Sequence, residues 1–99
     1  MFSTRFFSAQ EAADWGIVNR VVPDGGLEAA VDELAQSLAA QPTYALAMAK
    51  KMFQFSHEPT LDHFLEYEAL MQPQIHQTQD YREGIASFQE KRPARFVGR

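Results

Sequence analysis

The stretch Thr78-Gln79-Asp80-Tyr81-Arg82-Glu83-Gly84-Ile85-Ala86-Ser87-Phe88-Gln89-Glu90-Lys91-Arg92-Pro93-Ala94-Arg95-Phe96 decides how this chain is read. Thr78 suits an N-cap, because its hydroxyl oxygen can accept an amide hydrogen bond from the first turn. Asp80 and Glu83 then put negative charge near the positive end of the helix dipole. Tyr81, Ile85 and Phe88 recur at intervals of four and three and so share a face. Lys91 and Arg92 place positive charge in the expected last turn, and Pro93 stops it. Phe88 and Lys91 set a flat apolar ring beside an ammonium group. Two readings are open. In one, Phe88 is core and Lys91 answers the dipole. In the other, the pair holds a planar, phosphate-bearing ligand. Motifs this short recur by accident, so spacing alone favours the first.

Working outward, Thr60 caps a long helix carrying Leu61, Phe64, Leu65, Met71 and Ile75. Pro73 falls inside it, removes one hydrogen bond and crowds the carbonyl of Ala69, so a kink or an early end is expected. His57-Glu58-Pro59 separates this helix from the preceding one, which runs from a Thr43 cap to about Phe55 with Tyr44, Ala47, Met48 and Lys51 along one side. Leu27 to Gln41 has Leu27, Val31, Leu34 and Leu38 at helical spacing and reads as an amphipathic helix. Asp24-Gly25-Gly26 is a turn. Ile17 to Val22, β-branched and ending at Pro23, reads as a short extended segment or edge strand. Ser8-Ala9-Gln10-Glu11 is a capping box that opens a short helix through Trp15, with Gly16 suited to the left-handed C′ position. Trp15 reads as a packing anchor. The expected fold is mostly α: four to five helices and one short extended segment, in a single region over residues 1–99.

Bulk properties fit a folded chain. Apolar residues make up 45% and aromatics 12% of the 99, which argues against disorder. There is no cysteine, and hence no disulfide or thiolate chemistry. No apolar run is long enough for a membrane span. The opening Met1-Phe2-Ser3-Thr4-Arg5-Phe6-Phe7 is too short and interrupted for a secretory signal, and the chain reads as cytoplasmic. The net charge of −4 is uneven: Lys91, Arg92, Arg95 and Arg99 lie in the last nine residues with no acid among them. The rest is acidic, which argues against nucleic-acid binding through an extended basic surface.

The residues offer little catalytic material. His63 and Glu66, with Asp62, leave a metal or acid–base pair geometrically open, but specific zinc or di-iron sites need a fuller pattern, and no metal is expected. Glu66 and Glu68, two apart on a helix, point different ways. There is no glycine-rich phosphate loop and no nucleophile elbow. Lys50-Lys51 reads as a solvated face.

Two stretches together carry a resemblance. Phe7-Ser8-Ala9-Gln10-Glu11-Ala12-Ala13-Asp14-Trp15-Gly16-Ile17-Val18-Asn19-Arg20-Val21-Val22-Pro23 resembles the segment following the catalytic region of the crotonase superfamily, the enoyl-CoA hydratases and isomerases. Asp80 to Pro93 resembles its C-terminal signature, and the helix around Ala45 to Lys50 and the Tyr67-Glu68 stretch fall between them in matching order. The resemblance covers nearly the whole chain but corresponds to the C-terminal third of the family. It implies a helical region that packs on a βαβ-spiral core and builds trimers or dimers of trimers. The oxyanion hole and catalytic carboxylates belong to that core, so no catalytic residue is carried over. The family's parent reaction is hydration of 2-enoyl-CoA thioesters, a lyase chemistry with isomerase relatives, in fatty acid metabolism among other settings. What carries over is the F-x-E-K-R motif: Phe88 and Lys91 are expected to approach the adenine and phosphate end of CoA. The CoA thioester is substrate, and no further cofactor is implied. Two other readings remain. One is a free-standing helical module that self-associates or binds a partner; the other is a small helical acyl-CoA binder.

Overall fold

The computed structural model describes residues 4–57 and 59–99; Glu58 of the expected break and Met1 to Ser3 of the opening run lie outside them. Five helices follow in order: α1 (Ala9–Asp14), α2 (Leu27–Ala39), α3 (Thr43–Phe55), α4 (Leu61–His76) and α5 (Gln79–Glu90). No strand forms among the described residues. The chain divides into two compact units, one up to Leu34 and one from Ala35 to Arg99, the division falling inside α2.

In the first unit the capping box is complete. Glu11 donates its amide to Ser8 Oγ at 3.2 Å, and Ser8 donates its amide to Glu11 Oε2 at 2.9 Å. α1 ends in a Schellman motif, with Gly16 at φ 72°. Its amide bonds to the Ala13 carbonyl at 2.9 Å and that of Ile17 to the Ala12 carbonyl at 2.8 Å. Trp15 is more than half exposed, with Phe7 against its ring and the Arg5 guanidinium 5.5 Å above it. Residues 17–23 form bends and open chain with no ladder partner, so the edge-strand alternative is not realised. Pro23 to Gly26 closes a turn through a 3.0 Å bond, with Gly25 at φ 80°. Arg20 pairs with Glu33 at 3.0 Å.

In the second unit α3 packs on α4 and α4 on α5. The Phe55 and Tyr67 rings meet at a tilt of 40° with centroids 4.5 Å apart. Thr60 caps α4 as expected, its hydroxyl accepting the His63 amide. α4 does not end early at Pro73 but continues to His76, and Gln74 Nε2 donates to the Leu70 carbonyl at 3.1 Å within the same turn. Thr43 is not a cap. Pro42 occupies that position without a side-chain bond, and Thr43 opens the helix itself.

The expected apolar faces form but are uncovered. Leu27, Val31, Leu34 and Leu38 of α2 are all exposed, as are Leu61, Leu65 and Leu70 of α4. Among the described residues the only buried apolar side chains are Ala12 and Met48. Structure within each unit therefore leans on caps, turns and directed hydrogen bonds.

Two glycines of the second unit make opposite demands. Gly84 is helical, and a Cβ there would lie 3.8 Å from the Phe96 ring, an ordinary contact. Gly98 has φ 79°, and a Cβ there would lie 2.6 Å from Thr43 Oγ1. Gly84→Ala is therefore expected to stabilise the chain by about 0.5–1 kcal/mol, the usual difference inside a helix. Gly98→Ala should destabilise it by roughly 1–2 kcal/mol, the left-handed penalty of an L side chain. Urea denaturation of both variants checks the pair, and equal midpoints would contradict it.

Candidate functional site

The site is built at the two ends of α5. At its start, Thr78 Oγ1 accepts the Tyr81 amide at 3.0 Å and donates to the Ile75 carbonyl at 2.7 Å. Asp80, only 3% exposed, accepts the amides of Val97 and Gly98, each at 2.7 Å. Its own amide, an orphan of the helix N-terminus, donates to the Arg99 carbonyl at 3.1 Å. The segment after α5 thus turns back along the helix. Phe96 lines an apolar cleft together with Tyr44, Ala45, Ile75, Tyr81 and Ile85.

At the far end, the expected stop differs. The helix finishes at Glu90, so Lys91 and Arg92 lie beyond the last turn, and Pro93 is not what ends it. Lys91 takes the left-handed conformation, φ 54° and ψ 40°, the only non-glycine residue at positive φ among those described. Its amide reaches the Phe88 carbonyl at 3.3 Å and the Arg92 amide the Ser87 carbonyl at 3.0 Å. This is a Schellman motif with lysine where glycine is usual.

Glu83 braces this stop. Its carboxylate accepts from Arg92 Nη1 at 2.5 Å, from Arg92 Nη2 at 2.9 Å and from the Arg95 amide at 2.8 Å. Arg92 Nε donates to Glu90 at 2.5 Å. These donors hold the Glu83 carboxyl down at about 2, the Arg92 hydrogen bonds contributing most and the Arg95 amide next; the same contacts push the Arg92 guanidinium up. Glu11 is lowered similarly, first by the Ser8 amide and then by Arg5.

The two residues singled out for ligand contact stand at this end. Phe88 is 85% exposed and so is not core among the described residues: the face that α5 buries carries Asp80 and Ser87, one position away from the Tyr81–Ile85–Phe88 stripe. Lys91 is exposed and forms no ion pair with any described residue. Elsewhere, His57 and His63 line a shallow depression with Gln54, Phe55 and Pro59, and Lys50 and Lys51 are exposed. Among the described residues no three metal-binding side chains, Asp62 and Glu66 included, come together. The roles of Asp80 and Glu83 were missed in the sequence. Their only trace there is the pairing of two acids in α5 with a basic, acid-free tail.

A family model described as enoyl-CoA hydratase/isomerase matches residues 1–99. The chain belongs to this family, part of the crotonase superfamily. It is 37% identical over 92 residues to the 1,2-epoxyphenylacetyl-CoA isomerase of Escherichia coli K12, covering 93% of this chain and 35% of that protein. To the carnitinyl-CoA dehydratase of Salmonella typhi it is 34% identical over 99 residues, covering 96% and 38%. The crystal structure of an enoyl-CoA hydratase from Mycobacterium marinum superposes with a TM-score of 0.82 at 30% identity, over 94% of this chain and 37% of that one. The chain thus spans little more than a third of the length of these relatives. No helix among its described residues is long and apolar enough to cross a membrane.

The braced stop of this family member gives a pH dependence with a definite sign. The Glu83 carboxyl sits at about 2 when folded against an ordinary 4.5. Its contribution to stability is therefore fully present above about pH 4.5 and is lost as pH falls from there through about 2. Urea midpoints are expected to be level in this respect above pH 5 and to decline on acidification, with a shallower acid limb in Glu83→Gln. Identical acid limbs in the two proteins would rule out the coupling.

Proposed function

We propose that this chain serves enoyl-CoA hydratase/isomerase-type chemistry as a helical region that contacts the nucleotide end of CoA and assists assembly. The proton transfers at the thioester are assigned to elements of a crotonase-type core and not to any residue here. The observation that carries this reading is the bare Phe88 ring followed, three residues on, by the unpaired Lys91 ammonium. An adenine can stack on such a ring, and a phosphate can pair with such an ammonium. The relatives support the same end of the ligand. One is named an isomerase of an epoxyphenylacetyl thioester and another a dehydratase of a carnitinyl thioester, so their names share CoA but neither acyl group nor reaction. A segment similar to both fits the common part of the substrate. The parent activity proposed is hydration of 2-enoyl-CoA thioesters.

An NMR titration of the 99-residue chain with CoA, which reads contacts even at millimolar affinity, tests this. Shifts are expected at Phe88, Lys91 and their neighbours. Lys91→Met should weaken CoA about tenfold, a loss of about 1.4 kcal/mol, and Phe88→Ala should weaken CoA and 3′-dephospho-CoA alike. No shift at either residue at saturating CoA would refute the assignment.

For assembly, we assign the uncovered stripe of α2, Leu27, Val31, Leu34 and Leu38, to packing within a crotonase-type trimer. The support is that the chain spans only about a third of its relatives, which leaves most of their length to cover such a stripe. The same stripe also favours a self-associating helical module. Sedimentation velocity on the chain distinguishes the two. A concentration-independent monomer excludes self-association, whereas a defined dimer or trimer supports it.

A further inference from the structure

The left-handed turn at Lys91 has an energetic peculiarity. An L side chain in that conformation is disfavoured relative to the right-handed region, which is why glycine usually closes a Schellman motif. The chain keeps lysine there, next to an arginine that could compete for any anion.

The hydrogen bonds around Arg92 address both points. Its guanidinium has five N–H donors. Nε goes to Glu90, Nη2 to Glu83, and Nη1 to Glu83 and to the Pro93 carbonyl at 3.2 Å. Both edges of the fork are engaged, so Arg92 is committed within the chain. Glu83 adds the Arg95 amide, which fixes the backbone on the far side of the turn. Glu83 lies nine residues before Arg92 and twelve before Arg95, so it closes the turn from one helical face of α5. Lys91 lies inside that closure, its ammonium without an ion-pair partner among the described residues.

We infer that Glu83 is a positioning residue for the nucleotide contact: by clasping Arg92 and the Arg95 amide it holds Lys91 in the left-handed turn and keeps the arginine from taking the phosphate in its place. This rests on the reading of Phe88 and Lys91 as the CoA contact. It adds to that reading a reason why the lysine and not the arginine meets the anion.

A double-mutant cycle of Glu83→Gln and Lys91→Gly in the 99-residue chain tests the first half. Glycine needs no brace in the left-handed region, so the urea-midpoint shift caused by Glu83→Gln should at least halve in the Lys91→Gly background. A shift of equal size in both backgrounds would make Glu83 a general stabiliser and overturn the inference. Should Glu83→Gln not fold, Arg92→Lys, which keeps the charge but loses the fork, replaces it in the same cycle.

Adenosine 3′,5′-bisphosphate is the probe for the second half. Glu83→Gln should weaken it about tenfold, an effect absent when Lys91 is already glycine. If the bisphosphate does not bind the unmutated chain at all, the nucleotide reading fails, while the stability cycle still judges the clasp. If it binds and Glu83→Gln leaves the affinity unchanged, the nucleotide reading stands and the positioning role falls.

Discussion

Two carboxylates three residues apart on α5, Asp80 and Glu83, hold the chain that returns past the helix. Beyond Arg92, whose amide still bonds back to α5, the chain belongs to no helix or sheet, so its amides have no regular partner, and a half-buried amide without one is costly. Glu83 takes the Arg95 amide, and Asp80 takes those of Val97 and Gly98. The helix has the complementary deficit, an unpaired first-turn amide, and Asp80 offers it to the Arg99 carbonyl. Hydrogen bonds to an ionised acceptor are roughly twice as strong as neutral ones, which suits them to order a segment that buries little apolar surface. The segment is also set by shape. Phe96 helps to line an apolar cleft, and Gly98 is the residue that Thr43 leaves room for.

The apolar surfaces are the opposite case. A leucine or valine fully buried from water contributes about 1.5–3 kcal/mol, yet the α2 stripe and the α4 leucines, half or so exposed, realise only part of this in the structure described. Each unit is instead held by local closure: a capping box and Schellman stop around α1, Thr60 and Thr78 caps, and the clasp around Arg92. A chain built this way has its helices specified before its faces are covered. That is what a region requires if its packing partner lies outside it.

How much was legible in the sequence follows from the range of each interaction. Ser8 with Glu11, Thr60 with His63, Thr78 with Tyr81 and the Gly16 stop all act within a few residues, and each was readable from residue type and spacing. Thr43 failed as a cap because Pro42 took the position, a competition that spacing does not resolve. The stop of α5 was misplaced because a left-handed lysine is disfavoured locally, and the contacts that surround it include Glu83's bonds to Arg92 and Arg95, nine and twelve residues away. Phe88 was first read as core because periodicity finds a face without saying whether anything covers it. The helix buries the adjacent face, where Asp80 and Ser87 meet the returning chain.

The division between the two adjacent cations follows from their chemistry. Arginine presents a rigid fork that matches a carboxylate edge to edge, and so it is the better structural clasp. Lysine is a compact charge on a flexible stem, which meets an anion as a point charge and cannot grip two carboxylate oxygens edge to edge. With the order reversed, the fork would sit in the left-handed turn and the lysine would face Glu83 with a single point charge. The turn would then lose its two-edged grip, and the cation left free would be the one most prone to pair with Glu90. The order Lys91-Arg92 avoids both: the fork faces Glu83 and Glu90, and the residue in the left-handed turn is the one whose charge forms no ion pair among the described residues.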